Sequence, residues 1–146
     1  MRERESIYHA ALQRIYRLFV VDENPPGVLN GPPAYHHGTA DDPVRTDCPC
    51  AIGVLDDDRL LDTPALAIQQ ISVIGRKTPD LLASLLGVDE ITEDDIAFLS
   101  LVQQKHDHHA VHLQAMPWRP VSTFHAEMAD ALQGIAREYG LARLSP

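Results

Sequence analysis

Leu99, Val102, His106, His109 and Leu113 succeed one another at steps of three, four, three and four. Those steps trace one face of an α-helix. Thr92-Glu93-Asp94-Asp95 supplies the start of that helix, an N-cap residue followed by acids in the first turn. The segment therefore reads as a helix from Thr92 to about Leu113, and its apolar seam runs directly into two histidines. A stripe of this kind has to be received by a core of other helices.

The rest of the chain supplies them. Glu5 to Val20 carries Ile7, Ala11, Ile15 and Leu18 at helical spacing, with Leu12 and Phe19 widening the stripe. Asp22-Glu23-Asn24-Pro25-Pro26-Gly27 stops it. Thr63-Pro64 opens a second helix through an N-cap and a proline at the first position, with Gly75 expected to end it. Thr78-Pro79-Asp80 repeats that opening for a short helix closed by Gly87. Ser122 or Thr123 is the expected cap of a last helix carrying Met128, Leu132, Ile135 and Tyr139, with Gly140 as its C-terminal stop and Leu141 beyond.

The expected fold is mainly α, about five helices around one core. Cys50 to Leu55 is a short apolar run that suits either a buried strand or the start of a helix, so a small two-stranded β element near residues 50–55 is the alternative there. Asp56-Asp57-Asp58 reads as a solvated turn. The 146 residues fit a single domain, 1–146, interrupted by an irregular segment, 24–49, rich in proline and glycine.

Charge narrows the partners. A formal net charge of −9 lacks the basic footprint of a direct nucleic-acid binder and argues against an anionic membrane surface. It suits a basic partner or a soluble surface. No apolar run has transmembrane length, and the opening Met-Arg-Glu-Arg-Glu-Ser lacks a signal-peptide apolar region. A cytoplasmic location is expected. Cys48 and Cys50, separated by one proline, are too close for an unstrained mutual disulfide.

The chemistry concentrates in His106-Asp107-His108-His109-Ala110-Val111-His112, four of the eight histidines in two turns. Imidazole titrates near neutrality and is the commonest metal ligand. Histidines three or four apart can share one ion, as in His-Glu-X-X-His. A metal reading takes His106, His109 and His112, with His36 and His37 reaching in from the irregular segment; His125, Cys48 and Cys50 are further candidates. The plainer reading leaves His106 and His109 partly buried and hydrogen-bonded at the end of the seam, with His108 and His112 in solvent. One intervening proline is a poor spacing for a zinc cysteine pair. No phosphate-binding glycine loop, nucleophile elbow or complete catalytic set is present in the sequence.

Cys50-Ala51-Ile52-Gly53, Phe98-Leu99…Val102-Gln103…His106-Asp107, Trp118 and Ile135-Ala136…Tyr139-Gly140-Leu141 occur in that order. This order resembles a loose group of short uncharacterised phage and bacterial proteins, over roughly the last two-thirds of the chain, with Val102 where leucine is usual. The resemblance implies no activity, but it singles out Cys50, His106 and Asp107. With His109 from the helical stripe, these are the expected ligand-binding residues. The expected function is a small acidic binding or interaction protein, phage or mobile-element encoded, whose partner is a protein or small ligand. The alternative is a metal-binding protein or metal-dependent enzyme, with a divalent metal held by the 106–112 histidines.

Overall fold

The computed structural model describes residues 3–23, 36–37, 48–49, 51–57, 60–61, 70–115, 118 and 120–146, with only the backbone described at 36–37, 48–49, 111–115 and 121. The fold is mainly α. Five α-helices occur among the described residues: α1 (Glu3–Tyr16), α2 (Ile71–Lys77), α3 (Pro79–Leu86), α4 (Glu93–Ala115) and α5 (Val121–Glu138). No helix among these residues is long and apolar enough to cross a membrane.

α1, α4 and α5 form the frame that positions the histidines. Tyr8 stacks on Phe98 at 4.1 Å between ring centroids, and Tyr139 meets both edge-on. At the other end, Phe19 lies 5.8 Å from Phe124 and 5.3 Å from His106. These pairings make α1 and α4 parallel and α5 antiparallel to both. The chain is poor in aromatics, yet all three phenylalanines and two of its four tyrosines are spent on these two clusters. Between them, Leu12, Ile15, Leu99, Val102, Met128 and Leu132 are buried.

The buried face of α1 is centred on Tyr8, Leu12, Ile15 and Phe19, whereas Ile7 and Leu18 are only partly covered. The phase differs from the expected stripe because Tyr8, an amphipathic side chain, turns inward to a buried acceptor on α4. The helix also widens. Arg17–Val21 forms a single π-helical turn, closed by the Asp22 N–H on the Arg17 carbonyl at 2.8 Å. Such turns are rare and recur near functional groups; this one carries Phe19 onto His106.

In the middle of the chain the structure selects the helical alternative at residues 52–55 and departs from expectation at Asp56. Ile52–Leu55 is a buried 3-10 turn rather than a strand. Two-residue antiparallel pairing occurs just upstream, His36 with Pro49 and His37 with Cys48. Asp56 is buried, not solvated: its carboxylate accepts the N–H groups of Leu60 and Leu61, each at 2.8 Å. Asp57 is exposed and pairs with Arg14, and Asp58 lies outside the described residues.

The Thr63-Pro64 start also lies outside the described residues. α2 begins only after Gln70, which is extended, and it passes through Gly75 to Lys77. Gly75 is not a stop. A Cβ there would lie 2.7 Å from Ile96 Cδ1, so glycine is what lets α2 press onto α4.

The remaining caps follow the chemistry of their residues. Gly87 and Gly140 close α3 and α5 with positive φ, 79° and 67°. At the latter, Gly140 N–H bonds the Arg137 carbonyl and Leu141 N–H the Ala136 carbonyl, a Schellman motif. α5 starts at Val121 on an extended Pro120, so Ser122 and Thr123 sit inside its first turn rather than capping it. Thr92 does cap α4. Its Oγ1 accepts the Asp95 N–H at 3.2 Å, and Asp95 accepts the Thr92 N–H at 2.9 Å, the reciprocal arrangement of a capping box.

Candidate functional site

The α4 stripe turns inward as its spacing requires. Leu99, Val102 and His106 are buried, and His109 is partly so. At 2% exposure, His106 belongs to the core rather than to its rim. Its ring sits between Phe19 and Phe124, and its Nδ1 is 3.1 Å from Asp107 Oδ1.

Asp107 turns back along its own helix instead of towards the following loop. It accepts a hydrogen bond from Gln103 Nε2 at 2.8 Å, while Gln103 Oε1 accepts the Ile52 N–H at 3.0 Å. A relay thus runs from the 3-10 turn through Gln103 and Asp107 to His106. In a neutral ring, the Nδ1 that faces a carboxylate is the one that carries the proton, and Nε2 is then the acceptor. That Nε2 is buried and has no hydrogen-bond partner among the described residues.

His109, one turn on, is 18% exposed. Its Nδ1 lies 2.7 Å from Glu127 Oε2 on α5, an ion-pair distance without the alignment of a hydrogen bond. His108 is exposed, its ring edge-on to His109 at 5.0 Å. On α5, His125 is buried beside Phe124 and its Nδ1 also has no partner among the described residues.

Burial pushes the His109 imidazole below its ordinary value. Glu127 pulls it up without prevailing, and His108 and Lys105 add to the lowering. The carboxylate opposing the shift is therefore Glu127, not Asp107. Between the folded and unfolded pKa values the unfolded chain holds more protons. Stability should be unaffected by this group above about pH 6.5, the unfolded value, and should fall as the pH drops through that value towards the folded one. Urea midpoints between pH 8 and 5 should decline less steeply in His109→Gln than in the wild type. An NMR titration placing His109 above the ordinary value of about 6.5 would reverse the sign.

Of the residues singled out by sequence, the structure brings His106, Asp107 and His109 onto one stretch of α4. Cys50 lies outside the described residues; its neighbours Ala51 and Ile52 are buried. His36, His37, Cys48 and His112 are described only in their backbone, so the wider ligand set lies outside the described side chains. Among the described residues no three His, Cys, Asp or Glu side chains are grouped to hold a metal ion.

Sequence reasoning missed Gln103 and Glu127. Gln103 lies one turn before Asp107, at the i, i+4 spacing where helical side chains meet; Glu127, on another helix, has no local signal. Comparison with protein-family models, curated proteins and solved structures finds no match for this chain.

Proposed function

We propose that this chain is a small acidic binding protein of the cytoplasm, and that its ligand meets the imidazoles between α4 and α5. His106 carries the reading. It is a nine-tenths buried acceptor whose tautomer is set by Asp107 and whose Nε2 has no partner among the described residues. Leaving such an atom unpaired costs about 1–3 kcal/mol, and native structures hold few of them. A ligand that donates a hydrogen bond to Nε2 would relieve that cost.

Trp118, exposed on the α4–α5 connection, is the kind of side chain that anchors interfaces. The net charge of −9 favours a basic or hydrogen-donating partner. The likeness of its motifs to those of short phage and bacterial proteins fits a mobile-element adaptor.

The test uses ammonium, methylguanidinium, acetamide and imidazole as probes. At least one should raise the melting temperature and shift the His106 Nε2 nitrogen resonance in the wild type, and do neither in His106→Phe. Four inert probes would sink the reading.

A second reading is favoured by the carboxylates behind the rings. Asp107 at His106 and Glu127 at His109 are the backing that metal-bound histidines receive. A divalent metal would then join the two imidazoles and a third ligand. Zinc, manganese or iron found stoichiometrically in purified protein, and lost in the His106→Ala/His109→Ala variant, would select this reading. Metal-free protein that gains no thermal stability from those ions would dispose of it.

A further inference from the structure

Side chains one residue apart on a helix do not face each other, yet His106 Nδ1 lies 3.1 Å from Asp107 Oδ1. The two partners differ in burial. The His106 side chain is 2% exposed, whereas that of Asp107 is 56% exposed and has water as a rival partner. Something has to hold the carboxylate over the ring. Gln103 lies one turn earlier, three residues before His106 and four before Asp107, the spacings at which helical side chains meet. Its Nε2 donates at 2.8 Å to that same Oδ1.

The sense of the carboxamide is fixed from outside the helix. A glutamine amide can present either its oxygen or its nitrogen, but the Ile52 backbone N–H, 3.0 Å from Oε1, can only donate. An inverted carboxamide would set Nε2 against that N–H and Oε1 against the Asp107 carboxylate, donor against donor and acceptor against acceptor. The Ile52 N–H is itself held firmly. Ile52 is fully buried, the Val54 N–H bonds the Ala51 carbonyl at 3.3 Å, and the Asp56 N–H bonds the Gly53 carbonyl at 3.1 Å.

We propose that Gln103 is the positioning residue of the candidate site: it ties Asp107 to the Ile52–Leu55 turn and so holds His106 in the tautomer whose buried Nε2 accepts. This rests on the reading of that Nε2 as the seat of the ligand. Without Gln103, Asp107 turns to solvent and the ring proton is free to move to Nε2. The seat then changes from an acceptor to a donor, and the class of ligand it takes changes with it. A hydrogen-donating ligand is thus selected by a side chain one helical turn away.

The test reads the imidazole nitrogens of the full chain by NMR at about pH 8.5, about two units above the ordinary imidazole value of about 6.5, where the ring is neutral. In the wild type, His106 Nε2 should resonate as an unprotonated ring nitrogen and Nδ1 as a protonated one. Gln103→Met keeps the length and helix preference of the side chain but neither polar end. In that variant much of the proton should move to Nε2, and the Ile52 amide should exchange about fivefold faster, as loss of one hydrogen bond allows. Gln103→Lys offers Asp107 a donor again but gives Ile52 no acceptor. It should restore the wild-type nitrogen resonances and leave Ile52 exchange fast. A glutamine that only packs would leave the nitrogens alike in all three chains.

A wild-type His106 with its proton on Nε2 overturns the proposal without any variant. Wild-type nitrogen resonances in a folded Gln103→Met chain overturn it too, as does a tautomer that Gln103→Lys fails to restore. If Gln103→Met does not fold, Gln103→Ala takes its place on the same criteria. Inert ammonium, methylguanidinium, acetamide and imidazole beside the expected nitrogen resonances would sink the ligand reading and leave the role of Gln103 standing, so the two failures are distinct.

Discussion

Asp95→Ala should cost about 3 kcal/mol or more and bring the protein to the edge of unfolding at neutral pH. The carboxylate is fully buried and accepts four hydrogen bonds: from Arg4 Nε and Nη2 at 3.1 and 2.6 Å, from the Tyr8 hydroxyl at 2.5 Å and from the Thr92 N–H at 2.9 Å. Removing one partner of a buried pair typically costs about 3–5 kcal/mol. The low end applies here, because Arg4 is 37% exposed and can recover water. Most of the loss comes from the buried Tyr8 hydroxyl and the Thr92 N–H left without their acceptor, each worth about 1 kcal/mol, while the Thr92 hydroxyl still caps α4. Total domain stability is only about 5–15 kcal/mol.

Asp95→Asn should lose less, since it keeps an oxygen for Tyr8 or Thr92. Urea unfolding measures both variants, and a wild-type midpoint for Asp95→Ala would refute the account. The same network gives acid sensitivity. Burial pushes the Asp95 carboxyl up, but the hydrogen bonds from Arg4, Tyr8 and Thr92 outweigh it and hold it below its usual value. Its contribution should be complete above the unfolded value of about 3.9 and disappear as the pH falls through the folded one.

Val102→Asp should abolish cooperative melting. Val102 is fully buried on the inner face of α4, and an unpaired charge there costs several kcal/mol, comparable with the stability of the whole domain. Relief can come from His106, four residues on and on the same face, by a ring N–H donated to the new carboxylate. Val102→Asp combined with His106→Phe removes that relief and should be worse still. A wild-type calorimetric transition in the double variant would mean that Val102 does not face the core.

What the sequence made legible was whatever a single helix contains. The three-four spacing placed Leu99, Val102, His106 and His109 on one buried face, and Thr92, Gly87 and Gly140 marked ends that the structure keeps. What it hid was set by partners on other elements. Asp95 looked like an ordinary first-turn acid because Arg4 lies 91 residues away. Gly75 looked like a terminator because a glycine that ends a helix and one that admits a neighbour's side chain are the same letter; Ile96 makes the difference. Asp56 sat in a run of acids whose composition suggested solvent, and only the folded loop shows the two N–H groups it receives. At the candidate site, Asp107 was visible because it adjoins His106, and Glu127 was not because it comes from α5.

The two aromatic clusters divide the labour along the length of the bundle. The end made by Tyr8, Phe98 and Tyr139 is bolted by Arg4 and Asp95. The end made by Phe19 and Phe124 is built around His106 and is approached through a π-helical turn. Loosening of the packing around His106 therefore acts on one terminus of a lever whose opposite terminus is clamped by Arg4 and Asp95. Motion there becomes a splaying of the Phe19 end relative to a fixed anchor, a sub-global opening that leaves the Asp95 end folded.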